Sequence, residues 1–268
     1  MEVIVSRLSR LVVSWLAAIA LLGLWLIPTP SQAFSKPTAK YATVKTAAAE
    51  GGTKITITGK NLKKVSAIYF GSTKTTKITH VSATKLKVTA PKHVPGTVKL
   101  KLRAGKSTYT TKLKVTYVVT KTSPTATEAE VLRLTNAARS SGYTCVDETS
   151  DTTTKMPAVA GLNWNAKLAY AARGHSSDMA AKNYFSHTSK DGTTFSARIT
   201  RAGYKWSTVG ENIAAGYSTP ARVVEGWLAS YGHCKNLMSA NFTELGVGVA
   251  TGGDYGIYWT QDFGKPRS

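Results

Sequence analysis

Four stretches in the first half of the chain alternate apolar and polar positions with a period of two. They are Lys54-Ile55-Thr56-Ile57-Thr58-Gly59, Lys85-Leu86-Lys87-Val88-Thr89, Thr97-Val98-Lys99-Leu100-Lys101-Leu102 and Lys112-Leu113-Lys114-Val115-Thr116-Tyr117. This alternation, rich in Val, Ile and Thr, predicts half-buried strands with the apolar side inward and lysine outward. Gly51-Gly52, Gly59-Lys60-Asn61, Gly71-Ser72, Pro91 and Pro95-Gly96 separate them as turns. Short strands at this spacing predict a small all-β sandwich. Residues 119–126, with Ser, Thr and Pro124, read as a linker.

Beyond the linker the period changes. Thr127-Glu128-Ala129-Glu130 opens a helix with acids in its first turn, where the helix dipole favours them. Val131, Leu132, Leu134 and Ala138 give that helix an apolar stripe, Gly142 ends it, and Cys145 falls in the loop beyond. A second helix is predicted from about Asn165 to Lys182, with Leu168, Ala171, Ala172, His175 and Met179 at helical spacing. A third begins at Thr219-Pro220, a cap followed by a first-turn proline, and runs through Val223, Val224 and Trp227. Gly246-Val247-Gly248-Val249-Ala250 and Ile257-Tyr258-Trp259-Thr260 read as buried strands. Helices flanking short strands predict an α+β layered domain over 127–268.

The start of the chain bears on compartment. Arg7 and Arg10 precede an apolar run from Leu11 to Ile27, and Ser31-Gln32-Ala33 places small residues at the −3 and −1 positions of a cleavage site. Residues 1–33 therefore read as a secretory signal peptide, which predicts a secreted or cell-surface protein. The length of the run leaves an uncleaved membrane anchor as the alternative. In an exported chain the two cysteines, Cys145 and Cys234, most simply form one disulfide. A thiol nucleophile or a metal ligand is the other reading, although neither cysteine sits in a Cys-x-x-Cys spacing.

Charge separates the two halves. Residues 36–120 hold 18 Lys and Arg against one acid, Glu50, and so carry +17 of the formal +21. Residues 124–268 hold 14 basic and 12 acidic residues. Such asymmetry speaks of partners rather than of fold. For an exported protein the polyanions at hand are anionic cell-wall polymers, acidic glycans and anionic membrane surfaces. Nucleic acid satisfies the same electrostatics but is the lesser candidate outside the cell. The alternative is that these lysines only solvate strand faces.

Two resemblances sharpen the picture. Gly51-Gly52-Thr53, Ile57-Thr58-Gly59-Lys60-Asn61-Leu62, Ile68-Tyr69-Phe70-Gly71, Pro91, Gly96 and Val115-Thr116-Tyr117 resemble the IPT/TIG family of immunoglobulin-like domains. That resemblance covers residues 41–118 and implies an all-β, Ig-like sandwich that serves as a binding or spacer module without catalysis. In the second half, the ordered set His175-Ser176-Ser177-Asp178-Met179, Tyr184-Phe185-Ser186-His187, Gly192, Arg198, Ala202-Gly203-Tyr204 and Gly210-Glu211-Asn212-Ile213-Ala214 continues with Trp227-Leu228-Ala229-Ser230, Gly232-His233, Phe242-Thr243-Glu244-Leu245-Gly246-Val247-Gly248 and Tyr258-Trp259-Thr260-Gln261-Asp262-Phe263-Gly264. This set resembles the bacterial branch of the CAP (SCP-like) superfamily. The implied fold is a three-layer α–β–α sandwich with a solvent-facing cleft lined by two histidines and two glutamates.

His187 matches the first cleft histidine, Glu211 the first glutamate and His233 the second histidine. In animal members the second glutamate lies three residues after the helix tryptophan, and here that position is Ser230. Glu244, within the region matched in bacterial members, is taken as the substitute. Such a group has three chemical readings. The imidazoles can hold Zn or another divalent metal with a carboxylate or water completing the shell. A His/Glu pair can act as base and acid in hydrolysis. It can also be a hydrogen-bonded cluster that binds a ligand or holds the fold. No serine or cysteine is placed by motif as a nucleophile, and there is no His-Glu-x-x-His helix. The resemblance therefore implies a binding scaffold; if the protein is an enzyme, it is a hydrolase. His175 reads as a satisfied, half-buried helix residue. A Cys145–Cys234 bridge would pin the segment carrying His233.

Overall fold

The computed structural model describes residues 35–147, 149–150 and 152–268. The expected signal segment, 1–33, lies outside the described residues. Nine strands follow in the first half: β1 (Thr38–Ala42), β2 (Thr46–Ala48), β3 (Lys54–Lys60), β4 (Val65–Phe70), β5 (Thr73–Thr75), β6 (Ile78–Ser82), β7 (Lys85–Thr89), β8 (Gly96–Ala104) and β9 (Ser107–Val118). They form two sheets, in the orders β1-β3-β7-β6 and β2-β9-β8-β4-β5. The period-two pattern decides what lies between them. Ile55, Ile57, Leu86, Val88, Leu100, Leu102, Val115 and Tyr117 are buried together with Ile68 and Phe70 of β4. The four strands legible from alternation are β3, β7, β8 and β9. The remaining five are mostly short, and the segment at β1 and β2 crosses from one sheet to the other.

The second half begins with α1 (Ala126–Ser141), then β10 (Tyr143–Asp147), β11 (Thr152–Met156), β12 (Asn163–Trp164) and α2 (Ala166–Lys182). It continues with α3 (Phe195–Arg201), β13 (Trp206–Ala215), α4 (Pro220–Ala229), α5 (Tyr231–Met238), β14 (Glu244–Thr251) and β15 (Ile257–Pro266). Helix starts follow their capping chemistry. Thr125 and Glu128 form a reciprocal capping box on α1. Asn165 caps α2, and Thr219 caps α4 ahead of Pro220. Cys145 lies in strand β10 rather than in a loop, because 143–147 pairs antiparallel with 152–156.

The central sheet runs β12-β14-β15-β13, so β13 is an edge strand. Gly246 and Gly248 of β14 lie under α2, and a Cβ at either position would collide with its backbone near Ala169 and Arg173. The alternating residues Leu245 and Val247 enter the opposite core with Val131, Val223, Trp227, Leu237, Trp259 and Phe263. The sheet is therefore covered by α2 on one face and by α1, α4 and α5 on the other, which is the expected three-layer α–β–α sandwich.

Lys36–Ser268 form one compact unit, and the segment before α1 shows why. Arg173 on α2 meets both oxygens of Glu128 at 2.7 and 2.6 Å and donates to the carbonyls of Lys121 and Ser123. Trp164 donates through Nε1 to the Thr122 carbonyl, and Tyr170 donates to the His93 carbonyl of the β-domain. Glu50 accepts from the backbone of Thr120 and Lys121. The connecting segment is thus bonded on both sides.

Burial alone would raise the Glu128 carboxyl, but hydrogen bonds from Arg173 and Thr125 hold it below the ordinary carboxylate value. A lowered acid contributes stability that is present above its unfolded value and lost as pH falls through its folded value. Arg173→Ala, which strands this buried carboxylate, is expected to cost about 3 kcal/mol in urea unfolding at pH 7. It should also open residues 119–125 to limited proteolysis, with both effects shrinking as the medium is acidified.

Candidate two-histidine site

The expected site residues come from different layers. Left-handed Asn183 ends α2 and turns the chain into the loop that carries His187. The Tyr184 hydroxyl donates to Asp178, and buried His175 bonds the Ser186 carbonyl through Nε2 at 2.9 Å, so the loop is held one residue before His187. His175 is fully buried rather than half-buried, because α2 lays it against the sheet.

Arg198, the first cation on α3, gathers the loop and the sheet. Its guanidinium donates to the His187 carbonyl (2.9 Å), Ser189 Oγ (3.1 Å), the Thr193 carbonyl (3.0 Å) and Glu211 Oε2 (2.6 Å). Glu211 sits on β13 with its side chain 1% exposed, and its Oε1 lies 2.8 Å from Nδ1 of His187, whose side chain is 50% exposed. Both glutamate oxygens are therefore occupied.

His233 arrives from the other layer, in the first turn of α5. Its Nδ1 lies 2.9 Å from Oγ of Ser230, which stands where the motif of animal members has the second glutamate. Burial, and secondarily the nearby His187, lowers its pKa from the usual imidazole value. Asn212, the residue after Glu211, donates to the His233 carbonyl and to Gln261, and Asn236 of α5 donates back to Asn212 and to the Glu211 carbonyl. Both imidazoles are thus held at Nδ1, and neither Nε2 has a hydrogen-bond partner among the described residues. The disulfide Cys145–Cys234 joins β10 to α5 immediately after His233, with Cα atoms 5.7 Å apart.

The structure brings His187, Glu211 and His233 to one place, and Glu244 does not join them. Glu244 stands at the start of β14, where Asn165 and the Tyr204 hydroxyl both donate to it. The end of the strand beside the α2 N-cap supplies its partners. Arg198, Asn212 and Asp262 were present in the matched motifs without an assigned role, since only the folded layers show what they touch. Among the described residues no group of three or more His, Cys, Asp or Glu is arranged to hold a metal ion. With Glu211 closed by His187 and Arg198, the free donors are the two Nε2 atoms.

Residues 132–263 match the sequence model of the cysteine-rich secretory protein family, CAP, and residues 41–117 match that of the IPT/TIG domain. The chain carries an IPT/TIG domain followed by a CAP domain. Two relatives from Bacillus subtilis (strain 168) are the uncharacterized membrane protein YlbC and the uncharacterized protein YkwD. Each is 37% identical, over 141 and 142 residues, and each alignment takes 53% of this chain. The chain spans 35% of YlbC and 48% of YkwD. Among solved structures, an extracellular protein containing a SCP domain from Bacillus anthracis str. Ames is 22% identical with a TM-score of 0.42, covering 87% of this chain and 68% of that one. An outer surface protein from Borrelia burgdorferi is 20% identical with a TM-score of 0.41, covering 52% of this chain and 94% of that one.

Burial pushes the His175 imidazole down to about 4. An unfolded chain therefore takes a proton here that the folded chain refuses, and stability is full above about pH 6.5 and falls with acid toward pH 4. His175→Gln keeps a donor for Ser186 and is expected to flatten this slope by up to about 3 kcal/mol in urea titrations at stepped pH. Replacing both cysteines by serine should lower unfolding free energy on the order of 4 kcal/mol, by closure of an 89-residue separation. The same variant should broaden the His233 ring signals in NMR while leaving those of His187 sharp.

Proposed function

We propose that this chain is an exported, surface-associated binding protein. In this reading the two-histidine site of the CAP domain takes a ligand or a divalent ion, and the basic β-domain attaches to anionic cell-wall polymers. The observation that carries the first part is the pair of imidazoles locked at Nδ1 with Nε2 free on both. A metal-binding histidine commonly gives its other nitrogen to a carboxylate or hydroxyl in this way. Zinc or another divalent ion would take the two Nε2 atoms and supply Lewis-acid polarisation to whatever it met there. Export is supported by the signal-like residues 1–33 and by the disulfide, a bond characteristic of oxidising compartments. No helix among the described residues is long and apolar enough to cross a membrane.

The second part rests on where the cations fall. On the outer face of the β2-β9-β8-β4-β5 sheet, Lys99 stands directly opposite Lys114, and Lys101 opposite Tyr69, which stands opposite Lys74. Like charges directly opposed across a ladder destabilise a sheet, so stability alone does not favour this row. The single acid of residues 36–120, Glu50, is turned to the connecting segment instead. A polyanion would relieve the repulsion and release counterions on binding. Anionic wall polymers are the occupant that fits an exported chain; acidic glycans, lipid headgroups and nucleic acid share the same charge.

A second reading, a metal-assisted extracellular hydrolase of peptide or wall material, is favoured by one observation. Buried Glu211 behind Nδ1 of His187 is the arrangement that orients a general base. Turnover of peptides and peptidoglycan by residues 36–268, compared with His187→Ala/His233→Ala, separates the two. The binding reading expects no turnover and loss of zinc binding by calorimetry in the double variant; turnover abolished by that variant would replace it with the hydrolase. For the β-domain, Lys99→Glu/Lys101→Glu/Lys114→Glu is expected to weaken binding to isolated anionic wall polymer and to reduce the salt slope of binding by about two to three. Unchanged binding would leave those lysines as solvating residues.

A further inference from the structure

Asp262 on β15 stands directly across the ladder from Glu211. Residues opposed in this way project from the same face of a sheet, here the face under α2, with side chains close enough to interact. Asp262 is 0% exposed, and neither of its oxygens meets a donor among the described residues. A carboxylate buried without donors is a costly arrangement, and such a group normally keeps its proton instead. The cation that acts on it, Arg198, is already closed on Glu211 at 2.6 Å.

We propose that Asp262 is a neutral carboxylic acid that donates its proton to Glu211, and that it is a positioning residue for His187. The charges of Arg198 and Glu211 cancel, so a second carboxylate would leave one uncompensated negative charge in the core. With the proton on Asp262, Glu211 receives three donors: His187 at Oε1, Arg198 at Oε2 and the Asp262 hydroxyl. The proton shared by the pair stays on Asp262, because Glu211 holds both the imidazole and the guanidinium and Asp262 holds neither. Three fixed bonds prevent the Glu211 carboxylate from rotating, and its orientation aims the free Nε2 of His187.

The surroundings agree from every side. Burial, followed by the negative charge of Glu211, pushes the Asp262 carboxyl well above its usual range, and Arg198 offsets this only in part. From α2 the facing titratable group is His175, which burial keeps neutral and which feels the same Glu211 and Arg198. From α3 it is Arg198, from the preceding loop His187, and from β13 Glu211. The β14 residue opposite Asp262 is Gly246, which brings no side-chain donor. None of these contacts depends on whether the site takes a ligand, an ion or a substrate.

The test needs metal-free protein, residues 36–268, labelled with ¹³C at the aspartate carboxyls. Isotope-edited infrared spectra at pH 7 are expected to show a protonated aspartate band in the wild type, and the same band should vanish in Asp262→Asn. NMR titration of the His187 ring is expected to superimpose for wild type and Asp262→Asn, since one neutral donor replaces another. Asp262→Leu, which removes the donor, should displace that curve. Two results would overturn the proposal. One is the absence of a protonated aspartate band in the wild type. The other is a fall of the His187 midpoint by about one unit or more in Asp262→Asn, the size expected when a negative charge 4–6 Å away is removed.

Discussion

The guanidinium of Arg198 meets the carboxylate of Glu211 at 2.6 Å, with the two side chains 11% and 1% exposed. A pair this deeply buried gives little net stability, because desolvating both ions consumes most of their attraction. Its consequence is geometric. The planar fork of arginine binds several acceptors at fixed angles, and here those acceptors belong to the His187 loop, the turn at 189–193 and strand β13. A flexible ammonium in its place would meet one or two of them without fixing the angle between strand and loop. The position of His187 over the sheet depends on this one side chain.

Strand β13 carries the consequence to the opposite layer. Successive side chains on a strand point to opposite faces, so Glu211 turns toward α2 and α3 while Asn212 turns toward α5. Glu211 holds the histidine of the first layer, and Asn212 bonds the backbone of the histidine of the second. Because β13 is the edge of its sheet, segments from both layers can meet over it without another strand between them. The disulfide and the Asn236 bonds then keep α5 against that edge. Two histidines 46 positions apart in sequence thus share one site because two adjacent residues on an edge strand hold one each.

The β-domain is bound to this arrangement through backbone carbonyls rather than through its lysines. Tyr170, Arg173 and Trp164 all donate to main-chain oxygens of the β-domain or the connecting segment. The docking therefore leaves the cationic sheet faces unused by the CAP domain. Charge and imidazoles are segregated: the lysines stand on the strands of one domain, the two histidines over the edge strand of the other.

Much of this was legible in the residues themselves. Period-two alternation marked β3, β7, β8 and β9, since a strand with one dry face must alternate, and capping chemistry located α2 and α4 to within a residue. Short strands such as β5 and β6 carried no such mark, because three to five residues at a sheet edge bury too little to impose a pattern. Strand β13 was hidden for another reason: Gly210-Glu211-Asn212 is buried through polar contacts, so it does not read as apolar. Motif order located His187, Glu211 and His233, the residue types that chemistry requires. It could not say that Glu244 bonds Tyr204 and Asn165, that Ser230 stands behind His233, or that Asp262 stands across the ladder from Glu211. Those contacts join residues that motif spacing does not relate, and their partners are set by ladder register and layer packing, which exist only once the chain has folded.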